Sequence, residues 1–353
     1  MEKAVCLITF SDNEDHQEVI YSIYQALKAE CEVYTFGIVS PKSPIAPLEK
    51  NNYYFDCPKR PGITKEAFRL HTLVRMARIV RKKRIGVLYF ESMHLWNLLL
   101  MLLCPGVYKV VALHDVFPHD GNRGMDICNY FCCKAANHIV LRNRRYLEAA
   151  CKRLKLKRAK ITCIEPWRQW IQETPYAGGN DFLCFGRIRR YKGMPLLKEV
   201  ISRCPEASFV LAGDVDAETR LIVEEIRAFS NVKVIDREVG HDEMIELFKL
   251  CRFVILPYAT ATQSGVIVDA YKYARPVISF DVGAISEQIN PGKTGYLVPE
   301  GNIEEFVEAI KKASKLSEKE MIQMCHQAYI FGMKKYSACG AKERLLKVLL
   351  RRK

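Results

Sequence analysis

The chain has 353 residues, 49% of them hydrophobic and 27% charged, with a formal net charge of +14. This is the composition of a folded globular protein with room for about two domains; the longest apolar run, "LWNLLLMLLCPG" at 95–106, is well short of the ~20 residues a spanning helix needs and reads as a buried helix. The positive excess lies in the first half, 27 Lys and Arg against 17 Asp and Glu within residues 1–175, and suits nucleic acid, an anionic membrane surface or a phosphorylated substrate, with general solubility as the plain alternative.

Predicted strands and helices alternate from the start. "AVCLITF" (4–10) is an apolar strand, "HQEVIYSIYQALKAE" (16–30) an amphipathic helix and "CEVYTFGI" (31–38) a second strand. The basic helix "TLVRMARIVRKKR" (72–84) leads into the strand "IGVLYF" (85–90), and the apolar helix at 95–106 into "YKVVALHD" (108–115). "HIVLRN" (138–143), a second basic helix and "KITCIE" (160–165) complete the half. Such a βαβ rhythm implies parallel strands with helices on both faces. "EPWRQWIQETPYAGGN" (165–180), with two Pro and a Gly-Gly pair, interrupts it as a linker. The rhythm restarts with six strand candidates, "DFLCFGRI", "ASFVLAGD", "NVKVIDR", "RFVILPYA", "RPVISFDVG" and "GYLVP", and ends in a helical, basic tail. The expected fold class is α/β, two doubly wound parallel-sheet, Rossmann-like domains.

The fourteen cysteines do not read as a disulfide framework. The chain is large, "MEKAVCLITF" is no secretory signal, and most cysteines have apolar neighbours, so a reducing compartment is expected. Cys128 and Cys132 are one helical turn apart, but no second pair has zinc-finger spacing; they read as helix core.

"FGRIRRYKG" (185–193) concentrates cations where an apolar strand ends and a helix is about to begin. In an open parallel sheet ligands bind beyond the carboxyl ends of strands. Gly186 permits a sharp turn and a close backbone approach, and a helix N-terminus favours an anion. Arg187 and Lys192 are the candidate cations for a diphosphate, with Arg189 and Arg190 mainly solvated; a basic surface loop is the alternative. "YATATQSGVIVDAYKYARPVISFDVGAISE" (258–287) repeats the pattern of strand end, small polar loop and helix.

Together these two stretches resemble the retaining glycosyltransferases of family 4, with the GT-B fold. That family opens its second domain with a Gly-Arg…Lys-Gly element, continues with a Gly-containing loop before a helix bearing an acidic residue, and then shows Gly-x-Pro-Val-Ile and Gly-Gly…Glu. The order matches over residues 181–310, and "NPGKTGYLVPEGNIEEFVEAI" (290–310) extends it. The resemblance implies that Arg187 and Lys192 bind the donor diphosphate, that Asp269 holds the ribose hydroxyls, and that the amides of Ser264, Gly265 and Val266 face the phosphates or the donor sugar. This chain departs from the pattern in places: "ATQSG" replaces the family's first glutamate and Gly-Phe-Gly, so Gln263 or Thr262 takes the sugar contacts; Asp stands for Glu at 269; and Ala274 stands for Gly before "RPVI".

In the first half "ALHDVFPHDG" (112–121) is the best match. The resemblance implies that His114 faces sugar and acceptor, with Asp115 as the competing candidate and His119 behind it. The family's Gly-Gly loop after the first strand is replaced by "SDNEDHQ" (11–17). "DVD" (214–216) could be taken for an Asp-x-Asp metal motif, but the family reading is metal-independent: no metal and no cofactor is expected beyond a UDP- or GDP-sugar donor.

The expectation is a glycosyltransferase moving a sugar from a nucleotide-diphosphate sugar to a glycan or lipid-linked acceptor in cell-surface polysaccharide synthesis. It would be cytoplasmic, peripheral on the inner face of the membrane through an anionic surface, and would not bind nucleic acid. Residues 1–170 would bind acceptor and 180–320 donor, facing a cleft, with a helical tail at 321–353 packing back on the first domain. A sugar-nucleotide epimerase of the same fold would convert donor without acceptor. A basic nucleic-acid binder would show salt-sensitive affinity for oligonucleotides, but the chain lacks interleaved aromatic and basic residues.

Overall fold

The computed structural model describes residues 4–39, 51–58, 62, 69–114, 116, 123–165 and 168–350. The chain divides into two compact units, Met1–Gln169 with Tyr336–Lys353, and Trp170–Lys335. Among the described residues the first unit holds strands β1 (Ala4–Ile8), β2 (Val33–Ile38), β3 (Asn52–Phe55), β4 (Ile85–Phe90), β5 (Tyr108–Leu113), β6 (His138–Leu141) and β7 (Ile161–Cys163). The second holds β8 (Asp181–Phe185), β9 (Ser208–Ala212), β10 (Val232–Ile235), β11 (Cys251–Leu256), β12 (Val277–Phe280) and β13 (Gly295–Val298). The helices of the first half are α1 (Glu14–Leu27), α2 (Leu70–Lys82), α3 (Leu95–Leu103), α4 (Arg123–Ala135) and α5 (Leu147–Arg153). Those that follow are α6 (Met194–Ser202), α7 (Arg220–Arg227), α8 (His241–Leu250), α9 (Gly265–Lys272), α10 (Ile303–Ser314), α11 (Glu318–Tyr336) and α12 (Ala338–Leu350).

Both sheets are parallel. Their strand orders are β3-β2-β1-β4-β5-β6-β7 and β10-β9-β8-β11-β12-β13. Each is a doubly wound sheet whose order reverses once, between β1 and β4 in the first and between β8 and β11 in the second. Ligands in such sheets bind at the carboxyl ends of the strands flanking that reversal. The inner strands are apolar along their whole length because helices cover both faces: β1 and β11 are buried at every residue. In the first unit one face packs α1 and α12, with Ile20, Ile23 and Leu27 against Leu345 and Leu349. The other face packs α2, α3 and α4 through Leu73, Met76, Trp96, Leu100 and Cys132.

The basic run at 75–84 is the solvent side of α2. Leu73, Met76, Ala77 and Val80 recur at helical spacing on the buried face, while Arg75, Arg78, Arg81 and Lys82 are exposed. Cys128 and Cys132 are buried on α4 with their sulfurs 3.9 Å apart, and the thirteen described cysteines are free thiols. No described helix is long and apolar enough to cross a membrane.

Three features differ from the sequence-based expectation. The edge strand β3, a four-residue segment with only Phe55 buried, carries too little alternation to be read as a strand; its register on β2 runs Thr35↔Asn52 to Ile38↔Phe55. The tail does not start as one body at 321: the chain leaves the second unit at Lys335, so that α11 lies almost wholly in that unit and α12 in the first. Gly332 shows how α11 is held there, since a Cβ at this position would lie 2.5 Å from Tyr271 and 2.8 Å from Trp170. Finally, Arg142, one of the cations behind the positive excess of the first half, is not solvated but 1% exposed.

Candidate functional site

The reversal in the second sheet places the end of β8 beside the end of β11. Gly186 follows β8 with φ +92°, a conformation open to glycine, and a Cβ there would lie 3.0 Å from Lys192 Nζ and 3.7 Å from Val266 Cγ2. Gly186, Lys192 and the first turn of α9 therefore occupy one small region. Lys192 ends a 3-10 turn (Arg190–Lys192) and is 3% exposed. Its Nζ donates to the Phe185 carbonyl at 2.6 Å and lies 5.6 Å from the centre of the Tyr258 ring. Gly193, with φ +68°, lets this turn press against the β11 loop: a Cβ would lie 2.0 Å from the Pro257 carbonyl oxygen. The Ala259 amide donating to the Tyr191 carbonyl at 2.9 Å ties the same two loops together.

The four cations of the loop have different fates. Arg187 is exposed, with no side-chain hydrogen bond or ion pair to any described residue. Arg190 is 84% exposed and pairs with Glu218 at the surface. Arg189 corrects the expectation of a solvated side chain: it donates to the Asp214 carbonyl at 2.8 Å and to its carboxylate at 2.7 Å, with Asp216 Oδ2 at 3.6 Å. The "DVD" stretch is therefore an internal counter-charge for this loop. Asp216 also accepts from the Thr219 amide and hydroxyl, at 2.9 and 2.6 Å; the hydroxyl bond is the leading cause holding its carboxyl below the ordinary value.

α9 starts at Gly265 with Ser264 as the preceding cap residue. The Ser264 amide is already spent, donating to Gln288 Oε1 at 2.7 Å, while Gln288 Nε2 donates back to the Ser264 carbonyl at 3.0 Å. This removes Ser264 from the expected set of phosphate-facing amides and leaves Gly265 and Val266, whose amides have no partner within their own helix. Tyr258 is buried, and burial pushes its hydroxyl well up while a hydrogen bond to Ser264 opposes the shift. Gln263 is half-buried, with Oε1 enclosed and not hydrogen-bonded to any described residue. Thr262 is buried and Asp269 half-buried one turn into α9. Ala274 takes φ +56°, the left-handed conformation for which glycine is the usual residue, so the departure before "RPVI" is accommodated with the backbone turn retained. Tyr258 and Gln288 were missed in the sequence, where neither carries a local signal.

In the first unit His114 follows the end of β5, and Asp115 and His119 lie outside the described residues. His114 Nε2 is 2.8 Å from Glu91 Oε1 and 2.9 Å from the Glu91 carbonyl oxygen. Glu91, fully buried at the end of β4 and so at the reversal of the first sheet, also bonds Arg142 at 2.5 Å and accepts from the Tyr89 hydroxyl at 2.5 Å. Burial works against its charged form, but Arg142, His114 and Tyr89 outweigh it and hold the carboxyl down to about 2. The His16 ring sits 4.9 Å from that of His114. Neither Glu91 nor Arg142 was singled out in the sequence.

Residues 179–315 match the family described as Glycosyl transferases group 1. Among curated proteins, the O-antigen chain mannosyltransferase C of Escherichia coli is 31% identical over 154 residues, 42% of this chain and 39% of that protein. A GDP-mannose:glycolipid 4-beta-D-mannosyltransferase of Xanthomonas campestris is 31% identical over 137 residues, 36% of this chain and 39% of that protein. The chain thus spans about two fifths of the length of these relatives. Among solved structures, Anabaena HepE in complex with UDP superposes with TM-score 0.74 at 13% identity, over 97% of this chain and 98% of that one. Sucrose-phosphate synthase of Thermosynechococcus elongatus does so with TM-score 0.73 at 14% identity, over 98% and 97%. The fold is GT-B, and the stretch that matches the glycosyl transferases group 1 family lies within the second unit.

Proposed function

We propose that this chain is a retaining glycosyltransferase of the family-4 type, transferring a hexose from a nucleotide-diphosphate sugar to a glycan or lipid-linked acceptor in cell-surface polysaccharide synthesis. The observation that carries the reading is the buried Lys192 ammonium beside Gly186 and the first turn of α9, at the strand reversal of a group 1 glycosyltransferase domain. In this reading Lys192, Arg187 and the amides of Gly265 and Val266 bind the diphosphate, Asp269 takes the ribose hydroxyls, and Gln263 or Thr262 contacts the sugar. As the glycosidic bond to the leaving diphosphate breaks, negative charge grows on the phosphate oxygens, where fixed cations and amides stabilise it most. The leaving phosphate then helps to deprotonate the acceptor hydroxyl, as in the family. Catalysis without a metal is supported by the engagement of Asp214 and Asp216 with Arg189 and Thr219.

The names of the curated relatives favour GDP-mannose as donor. A thermal-shift screen against GDP, UDP, ADP and their sugars tests this, because a ligand that binds only the native state adds about 2.7 kcal/mol of stability at a hundred times its Kd. GDP and GDP-mannose are expected to raise the melting temperature most. A UDP-sugar response would change the donor; silence toward every nucleotide would remove the proposal.

The reading includes a peripheral site on anionic lipid. Its support is the exposed cations of α2 and the exposed Lys152, Lys155, Lys157 and Arg158 at and after the end of α5. Flotation with anionic vesicles is expected to carry the protein at low salt and to lose it as salt rises. Equal recovery with neutral vesicles would assign the charge to substrate or solubility.

A further inference from the structure

We propose that Glu91 is a positioning residue that holds His114 as the Nε2–H tautomer, so that Nδ1 is the acceptor the ring offers to a hydroxyl of the sugar or acceptor. A carboxylate oxygen and a carbonyl oxygen, both of Glu91, lie 2.8 and 2.9 Å from Nε2. Both can only accept, so the proton between them must be on Nε2. Glu91 has no freedom to turn away: it is fully buried, with Arg142 and the Tyr89 hydroxyl on its carboxylate and its amide donating to Ile8 at 2.9 Å. Its ionised form is secured by the Arg142 guanidinium, itself 1% exposed.

The ring is thus oriented from behind, as the buried carboxylate of a Ser-His-Asp triad orients its histidine. Here the consequence is a fixed polarity. Nδ1 makes no hydrogen bond to any described residue, and the side chain is 22% exposed beside the His16 ring. A neutral Nδ1 accepts and does not donate, so the group it fits is a hydroxyl donating its proton, not a carbonyl or a phosphate oxygen. The hydroxyl's identity as one of a sugar rests on the proposed glycosyl transfer; the tautomer does not.

The test has two arms. In the intact protein with 15N-labelled histidine, the His114 resonances, assigned by their loss in His114→Asn, are expected in alkaline solution to show a protonated Nε2 and an unprotonated Nδ1. A protonated Nδ1, alone or together with Nε2 throughout the alkaline range, overturns the proposal. The second arm compares His114→Asn, whose amide oxygen can stand near Nδ1, with His114→Gln, whose amide stands near Nε2. With the donor found in the thermal screen, His114→Asn is expected to retain about tenfold more kcat than His114→Gln, with donor KM changed less than about twofold in both. The opposite order overturns the hydroxyl-acceptor role. Failure to find any donor overturns the glycosyl-transfer reading and leaves the NMR arm to decide the tautomer.

Discussion

Replacing Lys192 with alanine is expected to lower sugar transfer by about a hundredfold, and Arg187→Ala by a similar factor, with folding intact by circular dichroism. A charge-assisted contact that strengthens as the diphosphate leaves contributes about 3 kcal/mol to the barrier, which is roughly that factor in rate. The two cations reach the same end by different routes. Lys192 is buried and preorganised by the Phe185 carbonyl and the Tyr258 ring, so little reorganisation accompanies binding. Arg187 is exposed with its guanidinium unengaged among the described residues and is available to close on a diphosphate with a planar fork. Arg187→Lys should therefore restore only part of the rate, because an ammonium cannot reproduce that geometry. Arg189→Ala and Arg190→Ala serve as controls. Arg190 pairs only at the surface, and Arg189 serves the Asp214 loop, where a partly exposed pair contributes less than about 1 kcal/mol. Transfer rates for the four alanine variants on one donor decide the matter. Equal small losses at all four positions would leave a basic loop and no donor site.

How far this arrangement was legible in the sequence depends on the range of the interaction. The alternation of apolar strands and amphipathic helices announced two doubly wound sheets, because burial on both faces of a parallel strand leaves an unbroken apolar run such as "CRFVIL" at β11. Gly186 and Lys192 were legible for a related reason: six positions apart, at a strand end, they are brought together by local chain geometry. Partners distant in sequence were not. Gln288 consumes the Ser264 amide from 24 positions away, and no local pattern marks a glutamine as a bracket for a helix cap. Arg189 looked like its neighbours until Asp214 arrived from the end of β9. Arg142 looked like the basic run that follows it, and only the parallel order of β4, β5 and β6 carries it under the sheet end to Glu91, 51 positions earlier. β3 was missed because an edge strand with one buried side chain has no periodic signal to give.

That buried pair sets the second large effect. Arg142→Ala is expected to destabilise the protein by about 3–5 kcal/mol, because it leaves a carboxylate under the sheet end without its counter-charge. The double variant Glu91→Gln with Arg142→Met removes both charges and should cost much less than the sum of the single losses. The pair also fixes the sign of a pH effect. The folded Glu91 carboxyl is held down to about 2, below its ordinary value of 4.5. A depressed acid contributes stability that is fully present above the unfolded value and is lost as the pH falls through the folded one. The window therefore runs from about pH 4.5 down to about pH 2, and the shift is worth on the order of 3 kcal/mol across it. Many other carboxylates titrate over the same range, so the measurement is a difference: urea unfolding of the wild type and of the double variant at steps from pH 6 to pH 2.5. The wild type should lose stability faster than the double variant as the pH falls, with most of the gap closing below pH 4.5. Parallel curves would mean that Glu91 titrates alike in the folded and unfolded chains. They would also remove the ionised carboxylate from behind His114.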